Sequence, residues 1–345
     1  MNIKDKLLKN STIKQTATLE DSKVYGTKEM IPTSVPMINV AFSGDVNGGI
    51  IPGLTMFAGP SKNFKTGFAL LCMKAYLSHY PDSVILFYDS EFGTPQNYFK
   101  SFGINMDRVI HTPITDVEQL KHDIMKQLEG IDKADKVMIV VDSVGNLASK
   151  KEVDDALDGK SVADMTRAKQ LKSLGRMITP HLSLKHIPML AINHTYKTME
   201  MFAKDVVGGG TGLYYSSDQV WILGRQQDKK PGKEVTGYHF VINIDKSRYV
   251  REKSKILISI SWSGGINKWS GLLENALEHG SVVKTKPGKY SPVIDGIQDP
   301  NEYSETVING ADAIWNGILR DTDLADFIKK KYATPDVEMD FQTEV

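Results

Sequence analysis

At 345 residues the chain can bury at least one full core, and its 41% hydrophobic and 24% charged composition is that of an ordinary globular protein carrying one large domain with smaller appendages. Lys+Arg and Asp+Glu both number 42, so the formal net charge is zero, which decides nothing about nucleic acid because phosphate affinity depends on where cations cluster. A single cysteine, Cys72, excludes an intramolecular disulfide framework and any zinc site built on paired cysteines.

Met1-Asn2-Ile3-Lys4-Asp5 lacks the apolar core of a secretory signal, and no apolar run approaches the roughly 18–20 residues of a membrane span. A cytoplasmic location, host cytoplasm if phage-encoded, and no membrane partner are expected. Residues 1–30 are polar, with weak periodicity. Strand-like and helix-like segments begin to alternate near Pro36. Leu54–Ala58 reads as a short buried strand, Lys65–His79 as a helix ending before Pro81, and Val84–Tyr88 as a β-branched and aromatic strand. Val117, Leu120, Ile124 and Leu128 recur at helical spacing, and Thr115 with Glu118 predicts a capping box at that helix start. Val137–Val141 and Met189–Asn193 are further apolar strands. Strands alternating with helices predict βαβ units and a mostly parallel sheet covered on both faces.

After Gly208-Gly209-Gly210 the rhythm changes. Gln219–Gly224, Tyr238–Asp245 and Ile256–Trp262 follow without intervening helices, predicting an antiparallel extension. The pattern turns helical again at Leu272, Leu273, Ala276 and Leu277, and 281–345 reads as a small charged C-terminal appendage.

Gly59-Pro60-Ser61-Lys62-Asn63-Phe64-Lys65-Thr66 lies between a strand and a helix, where a Walker A phosphate loop belongs. Small residues there let backbone N–H groups face phosphate oxygens, and the helix N-terminus adds partial positive charge. Lys65 would reach the β- and γ-phosphates of ATP, and Thr66 would offer its hydroxyl to Mg²⁺. The usual pattern has glycine before the lysine; here Phe64 stands there, and a Gly-Pro turn before a helix that merely begins Lys-Thr is the alternative. Val137–Val141 runs into Asp142-Ser143, the Walker B arrangement, with Asp142 beside the metal. Phe87-Tyr88-Asp89-Ser90-Glu91 is a third strand ending in carboxylates. Glu91 is placed either to orient and deprotonate an attacking water or as a solvated surface acid.

These blocks resemble RecA-family recombinases, and closely the UvsX recombinases of T-even-like bacteriophages, which share the Phe64 departure. Phe87–Gly93, Val141–Leu147, Ala191–Tyr196, Gly208–Gly212 and Asp245-Lys246-Ser247-Arg248 continue the likeness across roughly residues 35–280. The resemblance implies that Glu91 is the catalytic glutamate and that Tyr98 stacks on adenine. It implies that His194 takes the place of the polar γ-phosphate sensor, usually Gln, and that Lys246 and Arg248 reach a neighbouring protomer's ATP. For these the residues alone also allow a core tyrosine, a hydrogen-bonded histidine at a strand end and a solvated basic strand edge.

Residues 149–163, with Lys150 and Lys151, match the family's first DNA-binding loop. On the helix that follows, Ala168, Leu171, Leu174, Ile178 and Leu182 share an apolar arc, and Lys169, Lys172 and Arg176 lie opposite, a face for solubility or for tracking phosphates. The second loop, about 195–210, carries Lys197, Met199, Met201, Phe202 and Lys204. Cations there suit backbone contact, and apolar side chains can wedge between bases.

The expected fold is therefore α/β, a RecA-like P-loop ATPase core over 35–280. An oligomerisation segment precedes it at 1–34 and a C-terminal domain or tail follows at 281–345. The expected function is a DNA-dependent ATPase, using ATP and Mg²⁺, that forms a helical filament of identical subunits on single-stranded DNA. It would pair that strand with double-stranded DNA, with recombination mediator and single-strand-binding proteins as partners. A RecA-like ring helicase and an ATP-binding recombination mediator are the alternatives.

Overall fold

The computed structural model describes residues 2–22, 28–160, 165–198, 205–228 and 235–335. A mixed sheet organises them. Its parallel part comprises β1 (Gly53–Ala58), β2 (Val84–Asp89), β3 (Val109–Pro113), β4 (Val137–Asp142) and β5 (Pro188–Asn193). A hairpin of β6 (Thr195–Lys197) and β7 (Asp205–Val207) stands apart. The main sheet resumes with β8 (Gln219–Asp228), β9 (Gly237–Lys246), β10 (Lys255–Ser261) and β11 (Gly265–Ile266), in the order β11-β10-β9-β8-β1-β5-β4-β2-β3. Strand β8 is parallel to β1 and antiparallel to β9, so the antiparallel extension begins one strand later than its sequence block suggests.

The strands read as continuous apolar runs because helices cover both faces. Alternate residues feed two cores: Phe57, Phe87, Val140, Ile192 and Trp221 face one, and Met56, Tyr88, Val141, Ala191 and Val220 the other. The first face is covered by α2 (Pro36–Ser43) and α3 (Lys65–His79), after a short exposed α1 (Ile3–Asn10) in the segment whose sequence shows only weak periodicity. Then come α4 (Gln96–Ser101) and α5 (Val117–Gly130), the latter covering the second face with Val117, Leu120, Ile124 and Leu128 buried. Helix α6 (Lys150–Leu157) follows β4, and α7 (Thr166–Lys185) packs its Leu171, Leu174, Ile178 and Leu182 beside α5. Lys169, Lys172 and Arg176 of α7 are exposed, as the phasing of that helix predicts.

Two local expectations are corrected. The cap of α5 is Asp116, not Thr115. Asp116 accepts from the Gln119 backbone N–H at 2.8 Å, and the Gln119 side chain accepts from Thr115 N at 3.1 Å. Glu118 is thereby free to accept from Lys150 N at 2.9 Å. The carboxylate one position later reaches the unpaired N–H groups, which Thr115 would miss by one residue. The stretch expected as a first loop at 149–163 holds α6 instead, started by a capping box between Ser149 and Glu152.

After β7, α8 (Thr211–Ser216) packs on α7, where a β-carbon on Gly212 would stand 2.4 Å from Lys172 Cβ. The described residues continue through α9 (Leu272–His279), a small sheet of β12 (Val282–Lys286), β13 (Lys289–Ile294), β14 (Ile297–Gln298) and β15 (Tyr303–Ser304), then α10 (Glu305–Ile308), α11 (Asp312–Asp321) and α12 (Leu324–Tyr332). The apolar residues of this stretch continue the α2–α3 core: Trp315 stacks on Trp269 at 6.2 Å, and Ala333 pairs with Val250. No helix among the described residues is long and apolar enough to cross a membrane.

Replacing an N-cap carboxylate removes about 1 kcal/mol. Asp116→Ala is expected to lower stability by that amount in urea unfolding, and Thr115→Ala by clearly less.

Candidate nucleotide site

Parallel strands bring all their carboxyl ends to one edge of the sheet, and there the loops after β1, β2, β4 and β5 meet. A cavity of about 420 Å³ opens between them, lined by residues 61–67, Glu91, Gly93, Thr94, Tyr98, Asp142 and His194.

The loop after β1 is fastened to the outer sheet. Asn63 is buried and donates through Nδ2 to Leu223 O at 2.5 Å, and Arg225 donates to Lys62 O at 3.2 Å. Gly59 approaches β8 so closely that a β-carbon would meet Leu223 O at 2.9 Å. Lys65 starts α3 and folds back, donating to Gly59 O at 3.0 Å and Pro60 O at 2.8 Å. Burial holds its ammonium below the usual lysine range, opposed by Glu91 and Asp142. An ammonium resting on carbonyls of the same loop has the chemistry to exchange them for the oxygens of an anion.

Thr66 donates through Oγ1 to Asp142 Oδ2 at 2.7 Å. The other Asp142 oxygen, Oδ1, is buried and has no hydrogen-bond partner among the described residues. Burial lifts the Asp142 carboxyl to about 6, with Glu91 and Asp89 pushing the same way and the Thr66 hydroxyl and Lys65 opposing. An orphaned buried carboxylate oxygen beside a hydroxyl is a donor set that fits Mg²⁺, a hard cation that takes oxygen ligands.

Glu91 is held by its neighbours. Asp89 Oδ1 accepts from the backbone N–H groups of Glu91 at 3.0 Å and Phe92 at 2.8 Å, which turns the chain at the end of β2. Ser143, fully buried, donates to Glu91 Oε1 at 2.7 Å, and His194 Nε2 meets the same oxygen at 2.9 Å. Sequence reasoning passed over Asp89 as an orienting group and Ser143 as a donor. The only sign of either is adjacency to Glu91 and Asp142.

The His194 backbone anchors the loop that follows. Buried Asn193 accepts from His194 N at 2.8 Å and donates to Gly208 O at 2.9 Å, while Gly208 N donates to His194 O at 2.9 Å. The second loop of the sequence reading thus begins and ends as the paired strands β6 and β7.

The match to the RecA N-terminal domain family model covers residues 6–267. The chain belongs to the RecA family. It is 52% identical over 290 residues to the "Recombination and repair protein" of Enterobacteria phage T4, covering 84% of this chain and 74% of that one. It is 25% identical over 262 residues to the "Protein RecA" of Paenarthrobacter aurescens, covering 74% of this chain and 72% of that one. To the "Protein RecA" of Borreliella burgdorferi it is 25% identical over 234 residues, covering 66% and 62%.

Two members of the expected site lie elsewhere in this RecA-family chain. Lys246, at the end of β9, donates to the carbonyls of Tyr214 at 3.2 Å, Tyr215 at 2.9 Å and Ser217 at 2.6 Å, satisfying the C-terminus of α8. Burial and the nearby Arg248 lower its pKa. Arg248 pairs with Asp218 at 2.9 Å, its side chain 68% exposed. Neither lines the cavity. Among the expected DNA contacts, Lys150, Lys151 and Lys197 are exposed, on α6 and β6. Phe202 and Lys204, with Met199 and Met201, lie outside the described residues.

A carboxyl whose pKa is raised on folding costs stability once pH climbs above its unfolded value. For Asp142 the loss accrues between about pH 4 and pH 6. Asp142→Asn is therefore expected to raise the stability of the nucleotide-free protein at pH 7 by on the order of 3 kcal/mol. At pH 3.5 it should gain nothing, as unfolding at the two pH values will show.

Proposed function

We propose that this chain is a DNA strand-exchange recombinase that couples ATP hydrolysis to its grip on DNA. The observation that carries the reading is the meeting of Lys65, Thr66, Asp142 and Glu91 in one cavity, with Glu91 touching the residue that anchors the β6–β7 hairpin. The T4 relative's name, a recombination and repair protein, supports recombination over the ring-helicase and mediator alternatives.

ATP would lie with its phosphates over residues 59–66 and its base toward Tyr98. Lys65 would leave the Gly59 and Pro60 carbonyls for the β- and γ-phosphates. Thr66 and Asp142 would hold Mg²⁺, whose charge offsets that of the phosphates when it is bound. Glu91, fixed through Oε1 by Ser143 and His194, keeps Oε2 for a water. Attack by that water on the γ-phosphorus breaks the bond to the β–γ bridging oxygen as the water proton passes to Glu91. His194 then reports the state of the γ-phosphate to the second loop, and so to DNA.

In this reading protomers join head to tail into a helical filament on single-stranded DNA, which samples duplex DNA for homology. Residues 1–34 supply the tether between protomers, and 281–345 form a smaller C-terminal unit. Lys246 and Arg248 of one protomer serve the ATP of the next. This requires Lys246 to exchange the α8 carbonyls, and Arg248 to exchange Asp218, for phosphate oxygens. Lys150, Lys151, Lys169, Lys172, Arg176, Lys197 and Lys204 track the DNA backbone, and Phe202 wedges between bases.

Lys65→Ala is expected to abolish ATP turnover and joint-molecule formation with homologous duplex; full activity in that variant would refute the phosphate-loop role. Changing Lys246 and Arg248 together is expected to leave nucleotide binding by the free protein nearly intact. DNA-stimulated hydrolysis should fall by on the order of 10³, the scale of charge stabilisation supplied in trans. Wild-type stimulated rates in the double variant would remove the trans role.

A further inference from the structure

Phe64 stands where the usual Walker A pattern has glycine, and its backbone adopts the conformation glycine favours, with φ 60° and ψ 21°. A residue with a β-carbon enters that region against a steric penalty, so packing has to hold it there. The ring stacks on Phe240 of β9 at 5.3 Å and 29°, and meets Phe68 of α3 edge-on at 5.3 Å. Phe102 lies 6.4 Å away and itself meets Tyr98, on the cavity wall, at 5.3 Å.

Beneath the ring lies Gly67. A β-carbon there would stand 2.4 Å from two carbons of the Phe64 ring. Gly67 sits in the first turn of α3 and has no left-handed backbone to justify it. Glycine costs helix propensity at such a place. The ring above it is the reason the position is open.

We propose that Phe64 is a positioning residue for the nucleotide, and that Phe64 and Gly67 form an aromatic lock on the phosphate loop. The lock fastens the loop to Phe240 and Phe102, and so fixes by side-chain packing the turn that glycine reaches by backbone freedom. The inference rests on the reading of this loop as the ATP site. Because the lock shapes the loop before ATP arrives, and because Glu91 lies just beyond β2 and Asp142 ends β4, its loss weakens nucleotide binding rather than the chemical step.

The full chain is assayed for KM and kcat of DNA-stimulated ATP hydrolysis, for affinity toward a fluorescent ATP analogue, and for its thermal midpoint. Phe64→Gly is expected to raise KM and Kd about tenfold with a far smaller change in kcat, and Phe64→Tyr, which keeps the ring, to recover most of that affinity. Gly67→Ala should bring a similar loss of affinity in the wild-type background, because the new methyl displaces the ring. In the Phe64→Gly background it should cause no further loss and raise the thermal midpoint through helix propensity. If Phe64→Gly does not fold, Phe64→Leu with and without Gly67→Ala makes the same comparison. Equal costs of Gly67→Ala in both backgrounds, or a Phe64→Gly variant that loses kcat and keeps its affinity, overturns the lock. Wild-type protein that binds no ATP removes the parent reading and the lock with it; normal binding in wild type and variants alike removes the lock alone.

Discussion

Asp142 carries a carboxylate that the folded chain leaves half satisfied. At 2% exposure it gives Oδ2 to the Thr66 hydroxyl and leaves Oδ1 without a partner among the described residues. An unmet buried acceptor costs about 1–3 kcal/mol, and a buried charge costs more. Two further carboxylates, Asp89 and Glu91, deepen the negative potential at the same sheet edge. Lys65 is close but spends its protons on loop carbonyls. The arrangement is unfavourable alone, and a hard cation with an anionic oxygen ligand is the kind of partner that would offset it.

The sheet connects that site to a distant element. Strands β8 and β9 touch the phosphate loop through Leu223, Arg225 and Phe240, and at its far end β9 delivers Lys246 to the C-terminal carbonyls of α8. A second path runs from Glu91 through His194 and Asn193 to Gly208, two residues before the N-cap of that same helix. Helix α8 is thus held at one end by the route from Glu91 and at the other by the route from the loop after β1. A short helix with two independent tethers is the kind of packed element that shifts as a unit.

Much of this was legible in the residues. Lys65–His79 reads as a helix with the bounds observed, and the Val137–Val141 and Met189–Asn193 runs lie within β4 and β5, because burial on both faces imposes unbroken apolar stretches. The meeting of Lys65, Thr66, Glu91 and Asp142 follows from parallel topology, since each sits at a strand's carboxyl end or in the loop just beyond. What escaped was whatever depends on one residue of register or on distant partners. Asp116 displaced Thr115 as the cap because side-chain reach, not residue type, decides between adjacent candidates. Helix α6 was read as a loop because it buries nothing and so shows no core stripe. The internal bonds of Lys246 to α8 could not be foreseen, since the pairing spans some 30 residues of chain with no periodic signal.

A net charge of zero is compatible with a DNA-binding role because the cations are distributed unevenly. On α6, Lys151 pairs with Asp155, and just beyond it Lys160 pairs with Asp158, so much of that segment's charge is spent internally. On α7, Lys169, Lys172 and Arg176 are exposed on one face and none forms an ion pair among the described residues. Phosphates displace solvent ions from unpaired cations more readily than they break an existing pair. The exposed cations of α7 are therefore the ones of this segment that an anionic surface would meet at least cost.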